Sequence, residues 1–313
     1  MELMYLATSK IKGLIITMRP IIGIVTLPWV AAIALFASIE YGDFSSPLHA
    51  DQSFIIKLLL IMLGSYLGVT SGYAVNDYFD ADLDFASGIR KDKAVTHGIK
   101  KSILLAYAAI LGIPSLAILF YLNILTGMIG IIQMLCILQY SMMKYKSPFS
   151  HFFVVLATAL MPMGVFFVYT YQITFEAIML FILYFLYEPG FTLSGVCKDV
   201  EGDKKTGIPT LPVKYGIRAT AKLIFACWTL VLFMSIMIFL FTNLGIVYMI
   251  GSGLAAILLI ILADNLIKNP DPKIGANTFF KSAGWFWFFS IAMITDIVLR
   301  MAGLELPGVN LLF

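Results

Sequence analysis

The chain has 313 residues, 60% of them hydrophobic and only 12% charged, with a net charge of +3. Charges this sparse cannot cover a soluble domain of such length. A balance so near neutral also gives no basic surface for nucleic acid. The apolar residues come in long runs rather than short alternating segments, which excludes a β-barrel and predicts an all-α integral membrane protein with the lipid bilayer as partner.

Nine runs are long enough to read as spans, each about 20 residues of helix. They are Ile21–Ile39, Phe54–Asn76, Ser102–Leu122, Leu125–Met143, Phe152–Tyr171, Thr174–Cys197, Thr220–Phe241, Leu244–Leu262 and Ser282–Leu299. The connections after spans 2 and 6 are long and charged, whereas those after spans 3, 5 and 7 are short. All but Lys57 and Arg300 of the 21 lysines and arginines then fall on one side. The excess of positive charge on cytoplasmic loops places the N-terminus inside and the C-terminus outside. The first run begins too far along the chain for a cleavable signal peptide. Cys136, Cys197 and Cys227 sit in or beside apolar runs, at spacings that suit neither zinc nor a disulfide framework. His49, His97 and His151 form no cluster for a transition metal.

Where span 2 leaves the membrane the chain reads NDYFDADLD, residues 76–84. If the helix continues, Asn76, Asp80 and Asp84 share one face at four-residue spacing, with Asp77 beside Asp80. A charged helix end at the interface is the plain alternative. Against it, like charges at this spacing weaken a helix by a few tenths of a kcal/mol each. Converging carboxylates suit a hard divalent ion such as magnesium, which takes oxygen ligands from one or two carboxylates, phosphates and water.

Span 6 ends in a second motif, with Asp199 and Asp203 again four apart. The step from Asp80 to Asp199 and from Asp84 to Asp203 is 119 residues in both cases. This predicts a single domain over 1–313 with a loose repeat of spans 1–4 and 5–8, presenting both motifs to one central cavity. Arg90, Lys91 and Lys93 follow the first motif; Lys198, Lys204 and Lys205 are mixed with the second. Positive-inside bias explains some of these. Acid for a metal and base for phosphate at one mouth also suit a diphosphate. Arg19, before Pro20, is placed either to face the same cavity or to anchor the helix. Glu188, in YEPGF of span 6, is an ionisable group inside a span, where such groups are costly and often functional. Pro189 and Gly190 would break the helix locally and free backbone carbonyls. Asp296, in span 9, is expected to pair with a neighbour or approach the outer interface near Arg300.

These motifs resemble those of the UbiA-type prenyltransferase superfamily, which carries NDxxDxxxD after its second span and DxxxD after its sixth. Val200–Gly216 resembles the family's VEGDxxxGxxTLPVxxG, and Tyr140-x-x-x-Lys144 resembles its YxxxK element. The chain departs from the pattern at Arg90–Ala94, which lacks the family's prolines, and at Val196, where many members carry an aspartate. The resemblance implies transfer of an isoprenyl chain from a polyprenyl diphosphate to a lipophilic acceptor through an allylic cation. It implies two magnesium ions between the diphosphate and Asn76, Asp77, Asp80, Asp84, Asp199 and Asp203. Lys144, Tyr140, Arg90, Lys93 and Lys204 would then attend the diphosphate, on the cytoplasmic side of the cell membrane. A membrane terpene cyclase would use the same site. An ion-coupled transporter would place its carboxylates nearer the bilayer midplane.

Overall fold

The computed structural model describes residues 11–42, 52–87 and 97–304. Among these the only regular secondary structure is helical. After a helical stretch α1 (11–18) come α2 (Pro20–Tyr41), α3 (Gln52–Ser87), α4 (Lys101–Leu122) and α5 (Ile124–Met143). They are followed by α6 (His151–Ala159), α7 (Met161–Phe166), α8 (Phe175–Thr206), α9 (Leu211–Tyr215), α10 (Ile217–Phe241), α11 (Ile246–Lys268), α12 (Pro272–Ser282) and α13 (Gly284–Met301). Eight helical stretches are long and apolar enough to cross a membrane, and His151–Phe166 forms a shorter apolar one.

The helices begin and end where local chemistry dictates. Asn123 closes α4 and opens α5 at once, its side chain accepting from Leu125 N at 2.8 Å. Thr174 caps α8 by accepting from Ala177 N. Asp271 caps α12, with Pro272 following in the first turn. Gly207, in the left-handed region at φ 72°, ends α8, and Ile208 N closes back on Asp203 O at 2.9 Å.

Two regions differ from the spans read in the sequence. The fifth is not one helix: Pro162 has no N–H to continue the ladder, so the chain turns at Leu160 between α6 and α7. Before the ninth, the lysine-bearing connection is itself helical, as the amphipathic α12, which runs into α13 through Ala283.

Packing follows membrane rules, with small residues letting backbones approach. Gly64, Gly68 and Gly72 line one edge of α3, where a Cβ would meet Leu119, Ser115 and Ile137 respectively at 3.0–3.3 Å. Ser115 Oγ donates to Gly64 O at 2.7 Å and Ser71 Oγ to Ala108 O at 2.8 Å, tying α3 to α4. On the other side α8 packs on α10, α12 and α6. Gly190 admits the Trp228 indole, whose Nε1 donates to Tyr187 O at 3.1 Å beside Pro189. The helix therefore runs unbroken through Pro189, and an indole takes up a carbonyl in the loosened turn. The core continues into stacked aromatics from α2, α8 and α13: Trp29 on Tyr184, and Tyr187 on Trp285.

Candidate active site

Helix α3 runs past its apolar stretch and carries the first acidic motif on one continuous helix. Asp82 of this motif faces outward, while two of its aspartates are buried, Asp77 and Asp80 at 2% and 3% exposure. Each is matched by a cation. The Asp80 carboxylate pairs with Lys144 Nζ and accepts from the Tyr145 hydroxyl, while Asn76 Nδ2 donates to its other oxygen at 3.1 Å. Lys144 Nζ also donates to Asn76 Oδ1 at 2.8 Å. Lys144 is itself buried and lies 5.7 Å over the Tyr140 ring. The C-terminus of α5 thus delivers its lysine to the face that Asn76 and Asp80 share.

One turn deeper, Arg19 lies 3.7 Å from Asp77 Oδ1, and Thr17 Oγ1 donates to Asp77 Oδ2 at 3.2 Å. Arg19 is the sole non-glycine with positive φ among the described residues (φ 45°, ψ 62°). The left-handed region costs an ordinary residue about 1–2 kcal/mol. Pro20 disfavours the right-handed α conformation before it; the left-handed turn at Arg19 breaks α1 from α2, and the guanidinium stands 4.0 Å over the Tyr73 ring. Of its two placements read from the sequence, the structure takes the first.

The second motif sits on the last turns of α8. Asp203 is buried, whereas Asp199 is exposed with Lys198 Nζ 3.7 Å away; Lys204 is exposed. Asp84 belongs to α3 by its backbone, but its side chain lies outside the described residues, as do Arg90 and Lys93. The structure therefore brings Asn76, Asp80 and Lys144 together and sets Asp77 beside Arg19. Three site residues escape the sequence motifs: Thr17, Tyr145 and Tyr73. Tyr73 precedes Asp77 by one turn, so helical periodicity alone places it on that face. Nothing local singles out Thr17 or Tyr145.

Among the described residues, no three Asp, Glu, His or Cys side chains converge closely enough to hold an ion alone. The donor set nevertheless fits magnesium. It is oxygen only, and it offers one or two carboxylates per cluster, the number this ion takes when phosphate and water complete its shell. The ammonium of Lys144 against Asn76 and Asp80 shows that this face draws a cation.

An apolar groove of about 430 Å3 follows α2 from Pro20 to Pro28, with Met62 and Tyr66 of α3 and Trp287 of α13 as walls.

Comparison with known proteins agrees with this architecture. The chain is 25% identical over 278 residues to Protoheme IX farnesyltransferase of Thioalkalivibrio sulfidiphilus, covering 88% of this chain and 91% of that protein. It is 28% identical over 185 residues to Digeranylgeranylglyceryl phosphate synthase of Methanoregula boonei, covering 58% of this chain and 64% of that one. Among solved structures, a digeranylgeranylglyceryl phosphate synthase superposes with a TM-score of 0.69 at 22% identity, over 92% of this chain and 99% of its own. A UbiA homolog from Archaeoglobus fulgidus, bound to DMAPP and Mg2+, superposes at 0.59 and 16% identity, over 90% and 99%. The model of the UbiA prenyltransferase family matches residues 27–291, and the chain belongs to that family.

Proposed function

We propose that this protein transfers an isoprenyl group from a polyprenyl diphosphate to a lipophilic acceptor within the membrane. The observation that carries the reading is the buried cluster of Asn76, Asp80, Lys144 and Tyr145 beside the Arg19–Asp77 pair, in a bundle that also carries an apolar groove along α2. A diphosphate needs the first part and a prenyl tail, which prefers hydrocarbon by about 0.8 kcal/mol per CH2, needs the second. The likeness to structures holding DMAPP or GPP with Mg2+ supports the same ligands here.

Asn76, Asp77, Asp80, Asp84, Asp199 and Asp203 would hold magnesium, in two ions, and magnesium so held neutralises charge on a departing diphosphate. The chain's own groups do the rest. Lys144 and Arg19 offer N–H donors to diphosphate oxygens once released from their aspartates. Tyr140, against which Lys144 lies, sets the direction of the ammonium. Lys204, Arg90 and Lys93 add positive charge at the mouth. Burial of Asp77, Asp80 and Lys144 keeps bulk water from the reacting carbon. As the carbon–oxygen bond breaks, its electron pair leaves with the diphosphate, and the acceptor forms a new bond to the allylic carbon. The site faces the cytoplasm of the cell membrane in this reading, and α3 and α8 stand as equivalent members of one repeated domain.

Labelled geranylgeranyl diphosphate, offered to protein in lipid nanodiscs with Mg2+, tests this. Acceptors are protoheme IX, geranylgeranylglyceryl phosphate and a total lipid extract of the source cells. Label is expected in an organic-phase product, and in none with Asp80→Ala or Asp199→Ala, both still monodisperse. Full transfer in excess chelator, or in either variant, refutes the reading.

A further inference from the structure

We propose that Glu188 receives the proton which the acceptor gives up as it is prenylated. The inference rests on the reading above and adds to it the acceptor side of the site.

Glu188 is 4% exposed, yet it is barely compensated. Thr192 Oγ1 donates to its Oε1 at 2.6 Å, and among the described residues no other hydrogen bond reaches the carboxyl. Asp296 shows what a structural carboxylate looks like in the same protein. It is fully buried, accepts from three backbone N–H groups, and has Arg300 Nε at 3.3 Å. A carboxyl in apolar surroundings with one hydroxyl partner is costly to keep, and nothing in the packing of α8 requires it.

Its position is the one the reaction needs. Tyr73 and Glu188 lie within electrostatic reach of each other, and Tyr73 also carries Arg19 on its ring. Tyr73 precedes Asp77 by four residues, about 6 Å along the helix, so it links the neighbourhood of Glu188 to the Arg19–Asp77 pair. The helices bearing Tyr73 and Glu188 pack mainly elsewhere, α3 on α4 and α5, α8 on α10 and α12. Around Glu188 the walls are aromatic. Tyr184, one turn before it, stacks on Trp29 at 5.3 Å between ring centroids; Tyr187, its neighbour, stacks on Trp285 at 4.2 Å. The buried indole N–H groups of Trp29 and Trp285 have no acceptor among the described residues. Within this wall of rings, packed on one another and almost fully buried, Glu188 is a carboxylate with capacity for a proton.

The step balances. The allylic C–O bond breaks with both electrons leaving on the diphosphate. The acceptor's nucleophilic atom forms the new bond to that carbon. The hydrogen it carried passes to a Glu188 oxygen as a proton.

The test compares Glu188→Gln and Glu188→Asp with wild type in nanodiscs, using the donor and three acceptor sources named above. Two quantities are read: Mg2+-dependent binding of geranylgeranyl diphosphate, and transfer of label. Glu188→Gln is expected to bind donor with unchanged affinity and to transfer about 10²-fold or more slowly, the size of a lost general base. Glu188→Asp, which keeps a base on a shorter stem, should recover part of the rate with the same donor affinity. Transfer at the wild-type rate by Glu188→Gln overturns the inference. So does loss of donor binding in step with transfer in both variants, which would make Glu188 part of the diphosphate site or the scaffold. Wild-type protein that binds no donor defeats the prenyl-transfer reading itself, and the inference with it.

Discussion

Replacing Lys144 by methionine separates the structural cost of the acidic site from its use. Lys144 and Asp80 are 7% and 3% exposed, and removing the ammonium leaves a buried carboxylate whose remaining hydrogen bonds among the described residues come from Tyr145 and Asn76 Nδ2. Removing one partner of a buried pair costs about 3–5 kcal/mol. The two surviving hydrogen bonds to a charged acceptor hold the loss near the lower end, about 3 kcal/mol. In a chain of this length that lowers the melting temperature by roughly 6 °C. If the face is a divalent-ion site, magnesium replaces the missing charge. At a hundredfold excess over its dissociation constant an ion restores about 2.7 kcal/mol. Melting of Lys144→Met followed by tryptophan fluorescence in detergent, in chelator and then in excess Mg2+, reads both numbers. Lys144→Met should melt early in chelator and regain nearly the whole difference with the ion, while wild type shifts less because its ammonium competes for the same carboxylate. Equal melting of the two proteins in chelator, or equal magnesium shifts, would contradict the argument.

Gly190→Ala places a methyl group 2.2 Å from Trp228 Nε1 and 2.3 Å from its Cε2. The indole must move and release Tyr187 O, at a cost of about 2–4 kcal/mol from overpacking and a lost hydrogen bond. The same melting assay reads it, and Trp228→Leu in the same chain should relieve most of the loss. Asp296→Ala strips the N-terminus of α11 of its acceptor and leaves Arg300 without its partner. It should cost about 3 kcal/mol, with Asp296→Asn losing less in chemical denaturation because one acceptor oxygen survives. Gly207→Ala forces an alanine into the left-handed region that ends α8, for about 1 kcal/mol and a small fall in melting temperature.

The elements that carry the acidic motifs were legible because two periodicities overlap there. Aspartates four apart only share a face if the helix continues beyond the apolar run, and both α3 and α8 do continue. The end of α8 was not legible: the sixth span is bounded at Cys197 in the sequence, whereas the helix runs to Thr206 and stops at Gly207, where glycine after a lysine-rich turn forms a left-handed cap. The partners of the motif were not legible either. Tyr145 reaches Asp80 across 65 residues of chain and Thr17 reaches Asp77 across 60, so neither leaves a local pattern. Arg19 could be named but not aimed, because its direction comes from a left-handed backbone conformation that no local sequence rule predicts for an arginine. The broken fifth span had its signal, Pro162, hidden inside an otherwise uniform apolar run. Helix α12 was read as loop because its lysines spoke for a cytoplasmic connection, which an amphipathic helix satisfies equally well.

Three of the buried carboxylates, Asp296, Asp80 and Glu188, differ in how completely they are answered, and the difference sorts their roles. Asp296 is met by backbone N–H groups and an arginine that cannot leave without unmaking a helix end. A ligand would gain nothing by displacing them, so this group holds α11 against α13. Asp80 is met mainly by an ammonium on a flexible stem, which a more highly charged ion can displace and which then has donors free for phosphate oxygens. Its compensation is exchangeable, as a binding site requires. Glu188 is met by a single hydroxyl, so a proton or a substrate hydrogen is worth more to it than to either of the others. The three lie at different points of the helices: Asp296 between α11 and α13, Asp80 on the face shared with Lys144 and Asn76, and Glu188 within electrostatic reach of Tyr73. Substitution of Asp296 should therefore change melting without changing the ratio of donor binding to transfer. Substitution of Asp80 should remove both activities, and substitution of Glu188 should divide them.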